Sequence, residues 1–219
     1  MKTEAIPSYA TDLEGLRRNL QNMLPPAALS SFDDYAEQLE KAHTRILKLN
    51  VGDTAPPFTL TNATGDLVSL AEMLKRGKVI LVFYRGSWCP YCSLQLNQLQ
   101  SVVEEIKEKG ANLIAISPQT PDASLSMTEK NNLKFEVLSD VGNGVAKMYT
   151  TVYRHDDAAT GVLNSLGINF DKHYGDDSNE LPIPAVFVIH ENGKIVFAKS
   201  EGGDFRNRVE IAKILSALN

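Results

Sequence analysis

Val79-Ile-Leu-Val-Phe-Tyr84 is an unbroken apolar run that leads straight into Arg85-Gly-Ser-Trp88-Cys89-Pro90-Tyr91-Cys92. A strand that is apolar at every position is buried on both faces. Helices must therefore cover it from two sides, which predicts a layered α/β protein. The chain has two cysteines, and this motif holds both, three residues apart. Chance places a second cysteine that close in roughly 1% of cases, so the pair asks for a chemical reason.

The junction of strand and motif suggests that reason. Pro90 suits the first position of a helix, where its missing N–H costs nothing. Cys89 then falls near the N-cap, where free N–H groups and the helix dipole favour a thiolate. Arg85 would add positive charge if it points toward the sulfurs. Two thiols one helical turn apart can form a disulfide reversibly. Two cysteines are too few for a closed four-ligand zinc site, so no metal and no cofactor is expected. Thiolate chemistry alone gains little: lowering a thiol pKa from about 8.5 to about 6.5 raises the thiolate fraction at pH 7 roughly 25-fold. Falling nucleophilicity takes back roughly 8-fold of that. Fast peroxide reduction therefore needs donors that stabilise the breaking O–O bond, whereas disulfide exchange needs only an accessible thiolate and a neighbouring thiol.

Before the motif, residues 1–50 predict a helical extension. Leu13, Leu16, Leu20 and Met23 form one stripe that ends at Pro25-Pro26. Phe32, Tyr35, Leu39, Ala42, Ile46 and Leu49 form a second, nearly heptad stripe, with Ser30 and Ser31 as candidate N-caps. Such an arm packs on its own domain or serves a homodimer through the N-terminal helices. Phe58–Leu60 and Leu67–Leu70 predict paired strands, and one helix is expected from about Pro90 to Lys109. Further strands are expected at Leu113–Ser117 and Phe135–Leu138, with helices near 121–132 and Val145–Tyr149. A hairpin, Ala185–His190 with Ile195–Lys199, precedes a last helix over about 204–218. Residues 155–182 are polar and predict a loop insertion, so His155, Asp156, Asp157, His173, Asp176 and Asp177 are expected in solvent. With a net charge of −5 and no basic block, nucleic acid is a poor partner. No run of 18 apolar residues occurs, and no secretory signal is visible, which together predict a cytoplasmic protein that does not insert in a membrane.

The motif residues carry a resemblance. Trp88-Cys-Pro-Tyr-Cys92 looks like the active site of thioredoxin-fold proteins, and Ile183-Pro184-Ala185 resembles their cis-proline loop. Val51-Gly-Asp-Thr-Ala-Pro-Pro-Phe58, Val82-Phe-Tyr-Arg85, Leu138-Ser-Asp140 with Val145-Ala-Lys147, and Phe187–Lys194 are similar to the AhpC/TSA family of peroxiredoxin-like proteins. That likeness covers about residues 51–219 and implies a thioredoxin-like α/β sandwich with a mixed central sheet. Laid over a peroxiredoxin, Cys92 takes the peroxidatic position. The usual Thr or Ser is then Cys89, the usual Pro is Arg85, and the second Arg falls near Pro184. Laid over thioredoxin, Cys89 is the nucleophile and Cys92 the resolving thiol, with Phe83 in place of the buried acid. The resemblance implies a thiol peroxidase cycling Cys89 and Cys92 with electrons from a thioredoxin- or glutathione-type donor. The alternative is a thiol-disulfide oxidoreductase. In both, the substrate, a hydroperoxide or a disulfide, meets the sulfurs between Trp88 and Pro184.

Overall fold

The computed structural model describes residues 5–219; the first four residues of the expected extension lie outside that range. The apolar run forms β3 (Lys78–Phe83), an interior strand of a seven-stranded mixed sheet. Its neighbours are β4 (Ala111–Ser117), which runs parallel to it, and β8 (Ala185–Ile189), which runs antiparallel. Beyond β4 lie β5 (Glu136–Ser139), β1 (Thr59–Asn62) and β2 (Leu67–Ser69), while β9 (Ile195–Lys199) closes the other edge. The two faces of β3 fill separate cores. Ile80, Val82 and Tyr84 point to one, with Leu96, Leu99 and Ile106. Val79, Leu81 and Phe83 point to the other, with Leu70, Met73 and Tyr149. A strand that alternates between two apolar layers has no polar position, hence the unbroken run.

The helices cover the sheet as its faces demand. α3 (Leu70–Leu74) and α7 (Ala146–Tyr149) contribute to the second core. α4 (Pro90–Ser101), α5 (Val103–Glu108) and α9 (Ile211–Ser216) contribute to the first. α6 (Pro121–Lys130) adds Met127 to the first core. The single helix expected from Pro90 to Lys109 is two, broken at Val102, where two adjacent β-branched residues meet. The expected terminal helix is also shorter. Residues 204–210 form a loop, because Asp204 holds both the backbone N–H and the guanidinium of Arg206.

The N-terminal extension forms α1 (Tyr9–Met23) and α2 (Pro26–Ala42). Ser8 caps α1. α2 starts at Pro26, so Ser30 and Ser31 lie inside it; the expected caps there are replaced by a proline at the first turn. α2 ends at Ala42, which leaves Ile46 buried in a connecting segment and ends the apparent heptad. Both stripes pack within the chain: Leu13, Leu16 and Leu20 lie on the first core, and Tyr35, Ala36 and Leu39 are part of it. α1 covers α4 from outside, with Gln98 Nε2 donating to Asp12 at 2.6 Å. No helix among the described residues is long and apolar enough to cross a membrane.

The expected 155–182 loop is instead ordered structure. It holds α8 (Asp157–Ser165), a 3-10 turn at Phe170–His173, and β7 (Glu180–Pro182), which pairs with β6 (Val152–Arg154). Asp156 caps α8 by accepting from Ala158 and Ala159 N–H. Ala159, Leu163, Phe170 and Leu181 are the buried residues that pay for this order, and polar residues between them mask the pattern.

Candidate active site

The dithiol sits where β3 hands over to α4. Cys89 is the N-cap of α4, and Pro90 occupies its first turn. The Cys89 carbonyl accepts from the N–H groups of Cys92 and Ser93, both at 3.1 Å. Both cysteines are free thiols and both are buried, Cys89 at 1% and Cys92 at 0% exposure. The loop before them is pinned by Gln119, which accepts from Ser87 N–H at 2.7 Å and donates to Ser87 Oγ at 3.0 Å. Trp88 Nε1 donates to Tyr174 Oη at 2.6 Å, and that hydroxyl donates to the Arg85 carbonyl at 3.0 Å. Gly86 makes room for this link: a Cβ there would stand 2.7 Å from Trp88 Nε1.

Two arginines flank the sulfurs. Arg208 Nη2 donates to Cys92 Sγ at 3.1 Å, while its Nη1 donates to the carbonyls of Phe205 and Asn207. Arg85 is buried, with its guanidinium carbon 4.0 Å from the Phe205 ring centre and 4.8 Å from that of Trp88. Neither guanidinium has a carboxylate partner among the described residues, and the Nε of each is buried without a hydrogen-bond partner. The two thiols consequently differ. Burial pushes the Cys89 thiol up, and its contact with Cys92 pushes it further. Burial acts the same way on Cys92 but is outweighed by the hydrogen bond from Cys89 and the charges of Arg208 and Arg85, which hold it well below the usual thiol range. The N-cap position alone would favour charge on Cys89. The charged donor, however, reaches Cys92, and that contact favours charge there instead.

Above Cys89 opens a mostly apolar pocket of about 240 Å³. Leu20, Leu24 and Phe32 from the N-terminal arm line it together with Leu163, Leu166 and Ile168. Trp88, Pro90 and Tyr91 line it beside the sulfur, with Arg85 and His155 behind. The pocket touches Cys89 and not Cys92.

Of the residues the sequence singled out, Arg85, Trp88, Cys89, Pro90 and Tyr91 share this pocket. Pro184 is buried beside the pair Phe83↔Ala185, at the motif end of β3. The expected cis-proline loop is a correction: every peptide bond among the described residues is trans. The segment before Pro184 is held extended by β6–β7 pairing and by the Thr150 hydroxyl, which donates to the Ile183 carbonyl at 2.9 Å. His155, expected in solvent, is 1% exposed and stacked on Phe170 at 4.9 Å. The described residues contain no group of three or more His, Cys, Asp or Glu able to hold a metal ion. Sequence reading missed Arg208 altogether: it is a single arginine in a loop, with no spacing that links it to the motif.

Comparison with known proteins shows the family and the fold. The sequence model of the AhpC/TSA family matches residues 51–198. Putative peroxiredoxin Rv2521 of Mycobacterium tuberculosis (strain ATCC 25618 / H37Rv) is 30% identical over 156 residues, 71% of this chain and 88% of that protein. Thiol-disulfide oxidoreductase ResA of Bacillus thuringiensis subsp. konkukian is 25% identical over 154 residues, 70% of this chain and 71% of its own. The crystal structure of peroxidoxin BcpB from Mycobacterium tuberculosis shares the fold, with a TM-score of 0.61 at 22% identity over 78% of this chain and 96% of its own.

Proposed function

The chain belongs to the AhpC/TSA family of thiol-based oxidoreductases, and we propose that it reduces hydroperoxides with Cys92 as the attacking sulfur and Cys89 as the resolving one. The observation that carries this reading is the buried Cys92 sulfur with Arg208 at 3.1 Å and Cys89 against it. The Cys92 thiolate attacks one peroxide oxygen, so the S–O bond forms and the O–O bond breaks. The leaving alkoxide takes the Cys89 proton and departs as an alcohol. The Cys89 thiolate then attacks the Cys92 sulfenic acid, forming the disulfide and expelling hydroxide, which solvent protonates. Two electrons have left the dithiol, and a thioredoxin- or glutathione-type thiol returns them. Arg85, unpaired and buried, is available as a donor to the developing alkoxide.

A second reading has one observation in its favour: the pocket opens on Cys89. As a thiol-disulfide oxidoreductase, the protein would attack a partner disulfide with Cys89, and Cys92 would release the product.

The lone tryptophan stands beside the pair and reports its oxidation. Reduced protein mixed with hydrogen peroxide in a stopped-flow, followed by Trp88 fluorescence, should react far faster than a free thiol. Cys92→Ser should abolish the reaction, and Cys89→Ser should leave a first turnover that stops at the sulfenic acid. A rate no better than a free thiol, with rapid reaction of Cys89 with a disulfide, would overturn the peroxidase reading in favour of the second.

A further inference from the structure

Arg208 lies beyond residues 51–198, the part matched by the family model. The loop that carries it, 204–210, is fastened by the N-terminal arm, which lies outside the match on the other side. Tyr9 Oη donates to the Arg206 carbonyl at 2.6 Å. Glu210 accepts from the backbone N–H groups of Tyr9 and Ala10, both at 2.9 Å, and so holds the first turn of α1. Arg206 reaches Asp33 of α2. Four contacts therefore tie both arm helices to one short loop, and the inward side of that loop presents a guanidinium to Cys92.

We propose that Arg208 is a catalytic residue that holds the Cys92 sulfur as a thiolate, and that Tyr9 is a positioning residue through which the N-terminal arm keeps Arg208 in place. Three observations carry this. Arg208 is 4% exposed and forms no ion pair with a carboxylate among the described residues, so the Cys92 sulfur is the one acidic side chain that it hydrogen-bonds. Its Nη1 is occupied by the carbonyls of Phe205 and Asn207, which fixes the guanidinium plane and aims Nη2 at Sγ. A buried cation with only neutral acceptors is costly, and the thiolate repays that cost. The same pairing serves the return step. When a reductant thiolate attacks Cys89 Sγ, the sulfur the pocket reaches, the S–S bond breaks and its electron pair goes to Cys92, which departs as the Arg208-bound thiolate. A stabilised leaving thiolate departs faster.

The direct test is the pH titration of thiolate absorbance near 240 nm in the full-length reduced chain. It is made in a Cys89→Ser background, so that Cys92 alone is read. Arg208→Met should raise the midpoint by about one to two pH units, as loss of a charge-assisted hydrogen bond does. In the chain with both cysteines, the peroxide rate at pH 7 should fall about 10- to 100-fold. Arg208→Gln keeps a donor for the Phe205 and Asn207 carbonyls without the charge. It should shift the midpoint as Met does, and it decides the matter if the Met variant does not fold. Tyr9→Phe should move the midpoint in the same direction by less, with Arg208→Lys partly preserving the low midpoint. An unchanged midpoint in a folded Arg208→Gln protein overturns the role of Arg208, and an unchanged one in Tyr9→Phe overturns that of the arm. The rate arm rests on the peroxidase reading; the midpoint does not. A shifted midpoint in a protein inert to peroxide would defeat that reading alone. An unshifted midpoint with peroxide activity still lost in Cys92→Ser would defeat this inference alone.

Discussion

His155 is neutral in the folded protein because burial first, and the Arg85 charge second, push its pKa down to about 2. Both ring nitrogens lack a hydrogen-bond partner, and the ring is held between Phe170, Trp88 and Tyr35. In the unfolded chain the same imidazole takes a proton near pH 6.5. The unfolded state therefore binds more protons below that value, and stability falls as pH falls from 6.5 toward the folded value. The slope for one such proton is about 1.4 kcal/mol per pH unit. His155→Phe should keep the stacking and remove both the unpaired nitrogens and the slope. Thermal unfolding at pH 7 and pH 5 checks this: the wild type should lose more Tm between the two than the variant. Equal losses would show that His155 is not the acid-sensitive group. Cys92 carries the same sign at higher pH, since its thiolate contributes stability above the ordinary thiol range and loses it as pH falls through the lowered value.

The arm and the α8 segment line the pocket over Cys89, and under the peroxidase reading a hydroperoxide would come by this pocket, past Cys89, to Cys92. Leu24, at the end of α1, and Leu166, at the end of α8, line the same cavity, and each is half-buried. Leu166→Trp adds bulk at this rim rather than in the close-packed core, where overpacking would cost stability. It should slow reduction of cumene hydroperoxide about tenfold more than that of hydrogen peroxide, the discrimination one apolar pocket contact supplies. Stopped-flow rates with the two peroxides measure the ratio, and an unchanged ratio would mean that organic peroxides reach the dithiol by another route. How legible these elements were depended on burial. The α1 stripe at Leu13, Leu16 and Leu20 has one wet face, so its period survives in the sequence. α8 shows a cap at Asp156 and apolar residues at 159, 163 and 166, a signal present but diluted by the polar residues around it. The dithiol, with its strand-to-helix context, is local and could be read. Arg208 is 116 residues from Cys92, and only the docking of the last loop brings the two together.

At the scale of the whole molecule, the AhpC/TSA frame is closed at the site end by two segments from outside it, the arm and the 200–210 loop. Where they meet, Gly203 packs directly on the backbone of α2: a Cβ there would run into the Leu39 carbonyl, with Glu40 Cα at 3.1 Å. Its φ does not require glycine; the close approach does. On one side of this contact Asp204 N–H donates to Glu40 Oε2 at 2.8 Å, and on the other Ser200 Oγ donates to the Pro184 carbonyl at 2.8 Å. The loop thus links the arm to the start of β8. A side chain at 203 cannot be absorbed by a rotamer change, because its obstacle is backbone. Gly203→Ala should therefore lift α2 off the loop, while the sheet, with its two cores on β3, stays folded. The expected signature is faster tryptic cleavage at Arg17 and Lys41, with cleavage at the exposed Lys107 on α5 unchanged. The Trp88 signal should also become weaker and more solvent-exposed as the pocket wall leaves. Uniformly faster cleavage at all three sites would mean instead that arm and core unfold as one unit.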